Sequence, residues 1–200
     1  MQTLVIVDFQ KDFANQKGSL YVAGAKRAKS EILKYIIENH ENIADVIFTV
    51  DWHSPNHCSF KKNGGEWPVH CVQFSEGAGI DDDLMKVCID HGLNVKVFKK
   101  GNVDSVEEYG AFEYIDHGYI YGDEDIVIAN NEAVEFGTLN LVVCGIAGDY
   151  CVKNTIKNLI KKRPDQPVEL QVSVFKNGIV SIDGGNTLDE FIKENNIQVV

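Results

Sequence analysis

The sequence predicts an α/β fold: a single domain over residues 1–200, built as three α/β/α layers around a mostly parallel sheet. Short β-branched runs such as Thr3–Val7, Ala44–Val50 and Leu139–Gly145 alternate with stretches of helical spacing. That alternation is the pattern of strand–crossover–strand units, which place helices on the faces of a parallel sheet. No internal repeat or linker interrupts the 200 residues, a length that one domain with its own core accommodates.

TLVIV (Thr3–Val7) is apolar throughout and predicts a buried strand. A helix is expected from about Ala25 to His40, with Ala28, Ile32, Tyr35 and Ile36 on one face. ADVIFTV (Ala44–Val50) is the second strand. The segment from Asp51 to Gly79 has no clear periodicity and holds three His, two Trp, two Pro and two Cys. So long an irregular segment is uncommon in a compact domain and is usually functional. Ile80–Gly92 predicts a helix closed by Gly92, and Asn94–Lys100 a third strand. Leu139–Gly145 is the fourth strand, Asp149–Lys162 the helix after it, and Val168–Val174 the fifth strand. Thr187 and Glu190 have capping-box spacing and open a helix to about Glu194. NIQVV closes the chain as an edge strand.

Composition narrows the function classes. At 44% hydrophobic and 24% charged the chain is neither disordered nor of low complexity. Nineteen Lys and Arg against 30 Asp and Glu give a net charge of −11. That excess disfavours nucleic acid and anionic membrane surfaces as partners. No window approaches the roughly 18 apolar residues of a membrane span. The start lacks a basic region and its apolar run is short, so no signal peptide is expected and the setting is cytoplasmic. The five cysteines are Cys58, Cys71, Cys88, Cys144 and Cys151. An odd number without a CxxC pair predicts free thiols.

Active sites of open α/β sheets lie beyond the carboxyl ends of the strands. The first strand ends at Asp8 and the second at Asp51, with His53 two residues on and His57 and His70 in the same loop. Asp and His two apart share a face of an extended segment and suit zinc, iron or manganese. The third strand ends in Lys99-Lys100-Gly101. The fourth leads into GIAGDYC, with Cys151 in the first turn of a helix, where the dipole favours thiolate and backbone N–H groups face an oxyanion. Taken separately, Asp8 is a loop cap, the lysines a solvated pair and Cys151 a buried structural thiol. Together they are a nucleophile, a base and a cation converging on one cleft, which is the constellation of a thiol-dependent acyl-transfer site.

Among the thiols, Cys144 lies inside an apolar strand and Cys88 on a packed helix face. Cys58 and Cys71 lie in the metal loop, and Cys71 is an alternative sulfur donor beside His70. Only Cys151 combines a helix start with a neighbouring lysine and carboxylate.

The motifs DFQKDF (8–13), DWHSPNHCSF (51–60), WPVHC (67–71), KKG (99–101), EYGAF (108–112) and GIAGDYCVKNT (145–155) resemble those of the isochorismatase-like cysteine hydrolases, and within them the nicotinamidase/pyrazinamidase family. They occur in the family's order and cover most of the chain. The resemblance implies Cys151 as nucleophile, Asp8 as its base and Lys100 as third member, since the family's lysine directly precedes glycine. It implies Asp51, His53 and His70 as ligands of one divalent metal ion, zinc first, with iron or manganese as alternatives. His57 matches a position that is a ligand in some members and lies behind the ligands in others. Phe13, Trp67 and Tyr109 correspond to the walls around a pyridine ring. Ile146–Ala147 corresponds to a cis peptide bond, which aims the Ala147 N–H alongside that of Cys151 as the oxyanion hole.

The implied activity is hydrolysis of nicotinamide, and of pyrazinamide, to the acid and ammonia, a step of NAD salvage. The implied partner is that small molecule, and oligomeric state is open, a homo-oligomer included. Gly148, Glu108 and Gly110 depart from the family's pattern and are expected to shape the substrate pocket. Two alternatives stand beside this reading. One is another amidase of the superfamily acting on carbamoyl or ureido substrates. The other is a non-catalytic metal-binding module on the same fold.

Overall fold

The computed structural model describes residues 1–113, 115–116, 119–120, 138–161 and 169–200. Its centre is β1 (Gln2–Val7), in which Leu4, Val5, Ile6 and Val7 are fully buried. β2 (Ile43–Asp51) and then β3 (Asn94–Lys100) pair outward on one side of it. A two-stranded antiparallel pair, β4 (Ile115–Asp116) with β5 (Tyr119–Ile120), stands apart from the sheet. β6 (Thr138–Ile146), β7 (Glu169–Val180) and β8 (Gln198–Val199) pair outward on the other side of β1. All five pairings of this six-stranded sheet are parallel. The chain therefore reverses its direction of winding between β1 and β6, and a crevice opens at such a switch point. Asp8 and the Ile146–Ala147 junction stand at that crevice.

α1 (Lys11–Ala14) is a single turn, too short to leave a periodic signal in the sequence. α2 (Ala25–Asn39) buries Ala28, Ile32 and Ile36 of the expected stripe, and Ala25 besides, while Tyr35 is half-buried. α3 (Asp82–Asp90) begins two residues later than the apolar pattern suggested. The Asp81 carboxylate accepts the N–H groups of Asp83 and Leu84 and so sets the start. The strand expected at Val168–Val174 runs on as β7 to Val180, because Phe175, Ile179 and Val180 are buried as well; Val168 itself lies outside the described residues.

Two local expectations are corrected. The helix expected over Asp149–Lys162 is divided into a wide five-residue turn, Gly148–Val152, and then α4 (Lys153–Ile160). The Ala147 carbonyl accepts from Val152 N–H at 3.0 Å, five residues on, which widens that turn; Lys162 lies outside the described residues. The capping box at Thr187 is not made. α5 (Asn186–Glu194) starts one residue before Thr187, and the Asp183 carboxylate takes the N–H groups of Gly185 and Thr187 at 2.8 and 2.9 Å. A carboxylate is a stronger acceptor than a hydroxyl at a helix start, so Asp183 wins the position.

Candidate active site

Four strand ends, those of β1, β2, β3 and β6, and one loop meet at the crevice. Lys100, the last residue of β3, is buried, and its ammonium lies 2.8 Å from Oδ2 of Asp8 and 3.7 Å from Sγ of Cys151. It also donates to Oδ1 of Asp51 and, at 3.3 Å, to the Glu108 carbonyl. Lys99 points the other way, exposed, with its ammonium 5.2 Å over the Trp52 ring. Alternation along β3 thus separates a buried cation from a solvated one.

Asp8 follows β1 in a left-handed backbone conformation (φ 46), which Asp tolerates better than bulkier residues. Its Oδ1 accepts from the Thr49 hydroxyl at 2.7 Å, while its N–H bonds the Thr49 carbonyl at 3.0 Å. Oδ2 is close to Lys100 but poorly aligned with it as a hydrogen bond, which leaves that oxygen able to meet the Cys151 thiol.

Burial and charge oppose each other throughout this cluster. Burial raises the Asp8 carboxyl above the ordinary range, and Lys100 only partly offsets it. Burial would raise Asp51 too, but the Lys100 ammonium and the two histidines hold it well below. Lys100 is held well above the usual lysine range: burial works against its charge, and Asp51 and Asp8 outweigh burial. The Cys151 thiol is pushed well up by burial, with Lys100 pulling the other way. A helix start alone would have favoured thiolate, but in this enclosed position desolvation is the larger effect. Burial therefore favours the protonated thiol, and the groups titrate as one unit.

Beside the cluster, His53 continues from β2 as extended chain bridged in parallel to Val72, which brings His70 alongside. Nδ1 of His53 is held by the Gly101 carbonyl at 3.0 Å. Gly101 has φ 68, and a Cβ there would lie 2.4 Å from the His53 ring, so only glycine brings the carbonyl in. Nε2 of His53 is buried without a hydrogen-bond partner. Oδ2 of Asp51 lies 3.5 Å from it and 3.7 Å from Nε2 of His70. Two imidazole nitrogens and a carboxylate oxygen converging on one buried point fit a divalent cation. His57 stacks on His53 at 4.0 Å, but both of its nitrogens are engaged, Nδ1 by Ser59 and Nε2 by the Val106 carbonyl. It stands behind the group. Cys71 is fully buried and does not belong to this converging group among the described residues.

The cleft above the cluster encloses about 430 Å³, part of it open to solvent. Phe13, Trp67 and Tyr109 all line it, together with Ala147 and Cys151. Phe13 packs on His70 at 5.5 Å, and Trp67 Nε1 donates to the Tyr109 hydroxyl at 3.1 Å. The Ile146–Ala147 peptide bond is cis.

Sequence reasoning missed several participants. Tyr150, edge-on to Trp67 at 5.2 Å, and Ile182 and Glu107 also line the cleft. Gln10 is fully buried and brackets Asp51 by accepting from its N–H and donating to its carbonyl, both at 2.8 Å. Gln10 and Tyr150 sit within motifs already singled out; Thr49 left no signal. The three departures from the family's pattern do not line the cleft. A Cβ on Gly148 would lie 2.1 Å from the Ser181 hydroxyl, and one on Gly110 2.7 Å from the Asn154 backbone. Glu108 accepts from the Gly101 N–H at 2.8 Å. All three are packing or bracing positions.

The six-stranded parallel sheet and the cluster at its switch point define an isochorismatase-like α/β protein. No protein-family model matches the chain. It is 31% identical over 165 residues to the nicotinamidase/pyrazinamidase of Mycobacterium tuberculosis, covering 80% of each chain. It is 30% identical over 177 residues to the nicotinamidase of Escherichia coli, covering 80% of this chain and 76% of the relative. The chain is also similar to the crystal structure of the Pyrococcus horikoshii pyrazinamidase in complex with zinc. There the TM-score is 0.72 at 25% identity, over 100% of this chain and 98% of the other. The chain belongs to the nicotinamidase family.

Proposed function

We propose that this chain is a nicotinamidase, a cysteine amidohydrolase converting nicotinamide and water to nicotinate and ammonia, and acting also on pyrazinamide. The observation that carries the reading is one buried cluster. In it Lys100 contacts Asp8, Asp51 and Cys151 together, on the floor of a cleft walled by Phe13, Trp67 and Tyr109.

The aromatic walls hold the ring by stacking and edge contacts. Asp8 takes the Cys151 proton as sulfur attacks the carboxamide carbon, forming the C–S bond. The backbone N–H groups of Ala147 and Cys151 hold the developing oxyanion. Asp8 gives its proton to the nitrogen, the C–N bond breaks, and ammonia leaves. Water then adds to the thioester, with Asp8 accepting its proton, and the C–S bond breaks to release the acid and restore the thiol. Lys100 keeps its charge throughout and stabilises whichever neighbour is anionic. Asp51, His53 and His70 would hold a divalent ion, zinc first, which supplies a Lewis-acid position for the ring nitrogen. The expected setting is pyridine nucleotide salvage in the cytoplasm.

Ammonia release by the purified protein, across a panel of nicotinamide, pyrazinamide and carbamoyl or ureido compounds, tests the reading. Turnover confined to the pyridine and pyrazine amides supports it. Turnover confined to the ureido compounds, or no turnover of any, overturns it.

A further inference from the structure

We infer that Glu107 is a specificity-determining residue: its carboxylate on the cleft wall lets a neutral amide in and drives the carboxylate product out. The inference rests on the nicotinamidase reading. Nothing in the mechanism above uses Glu107, yet it lines the same cleft as Cys151, Asp51 and Tyr109. It is exposed as a residue, while its carboxyl group is desolvated enough to sit above the ordinary glutamate range, with Asp51 adding to the rise. Tyr109 is within electrostatic reach of both Glu107 and Glu66, so a second acid lies near the same wall.

The charge lining the cleft is unbalanced. Lys100 is buried beneath the cleft and committed to Asp8, Asp51 and the Glu108 carbonyl. Among the described residues that line the cleft there is no lysine or arginine. Hydrolysis turns a neutral carboxamide into an anion in this space. The Coulomb term with Glu107 is then near zero for substrate and repulsive for product. A cation at Asp51, His53 and His70 would attract the same carboxylate, so Glu107 opposes retention of product without weakening entry of substrate.

The isosteric change Glu107→Gln removes the charge and keeps the shape. The readout is the ratio of the nicotinate inhibition constant to the nicotinamide KM, measured at low salt and at roughly 1 M salt. Glu41→Gln, an equal charge change at an exposed position before β2, is the control. The ratio should fall about fivefold in Glu107→Gln at low salt, as expected of one unit charge in a wet cleft. The difference should largely vanish at high salt, and Glu41→Gln should match the wild type. An unchanged ratio, or both constants moving together, overturns the role of Glu107 alone. A wild type that does not hydrolyse nicotinamide overturns the nicotinamidase reading, and this role falls with it.

Discussion

One carboxylate, that of Asp51, is divided between two partners: Oδ1 accepts from the Lys100 ammonium, and Oδ2 faces the Nε2 atoms of His53 and His70 at 3.5 and 3.7 Å. The Cys151 side and the histidine side of the site are thus joined through a buried ion pair. Removing Lys100 takes away the buried cation that Asp8 and Asp51 share, leaving Asp51 to the two histidines and Asp8 to the Thr49 hydroxyl.

Lys100→Met should therefore cost stability as well as activity. Stranding buried charge typically costs about 3–5 kcal/mol. The signs follow from the shifts. Asp51 is held low by Lys100, so its contribution is present above the unfolded carboxylate pKa and is lost as pH falls through the folded one. Without the cation both carboxyls rise, and the penalty relaxes on acidification as they protonate. Urea unfolding of metal-free protein near pH 7 and near pH 5 checks this. The deficit of Lys100→Met should be smaller at the lower pH; a deficit that grows on acidification contradicts the ion pair as described.

His57 and His53 should behave differently toward metal. Both nitrogens of His57 are occupied within the protein, whereas Nε2 of His53 is not. His57→Ala should keep one bound ion with affinity weakened no more than about tenfold, the scale of lost support behind a ligand. His53→Ala should lose about 100-fold or more. Elemental analysis and competition with a chelator measure both, and loss of the ion in His57→Ala alone would reverse the assignment.

Trp67→Ala should raise KM for nicotinamide about tenfold while changing kcat less than about threefold. Ring contacts are similar in the ground and transition states, so they contribute uniform binding. Steady-state kinetics decide it, and a fall in kcat at constant KM assigns Trp67 to the chemistry instead.

Gly148→Ser should destabilise the fold by about 1–3 kcal/mol, the usual cost of overpacking. The added Cβ would meet the Ser181 hydroxyl at 2.1 Å. Adding Ser181→Gly should restore much of the loss. Denaturation of the single and double variants tests the coupling, and additive losses would show that the two positions do not share one space.

How much of this was legible in the sequence differs by level. Strand β3 was placed to the residue, and Asp8, Asp51, Lys100 and Cys151 were found because they sit at strand exits of a predictable sheet. The choice of Lys100 over Lys99 came from the family's motif, and the pleat of β3 turns Lys100 toward Asp8 and Cys151 and Lys99 toward Trp52. What stayed hidden depends on long-range contacts. Thr49 supports Asp8 across 41 residues, and Gln10 brackets Asp51 across the same separation. The capping box failed because Asp183 offers a carboxylate that periodicity alone does not weigh against Thr187. The three departures at Gly148, Glu108 and Gly110 looked like pocket residues because they flank pocket residues. Their side-chain space faces Ser181, Gly101 and Asn154 instead.

The central claim is that Cys151 carries the acyl group. Labelling rate alone does not decide it, because Cys58 is the more exposed thiol and Cys151 is buried with a raised pKa. The direct measurement is mass spectrometry of protein quenched with acid during nicotinamide turnover, followed by peptide mapping. A nicotinoyl adduct on the peptide carrying Cys151, absent from Cys151→Ala, is the expected result. An adduct on Cys58 or Cys71, or continued turnover by Cys151→Ala, would contradict the account.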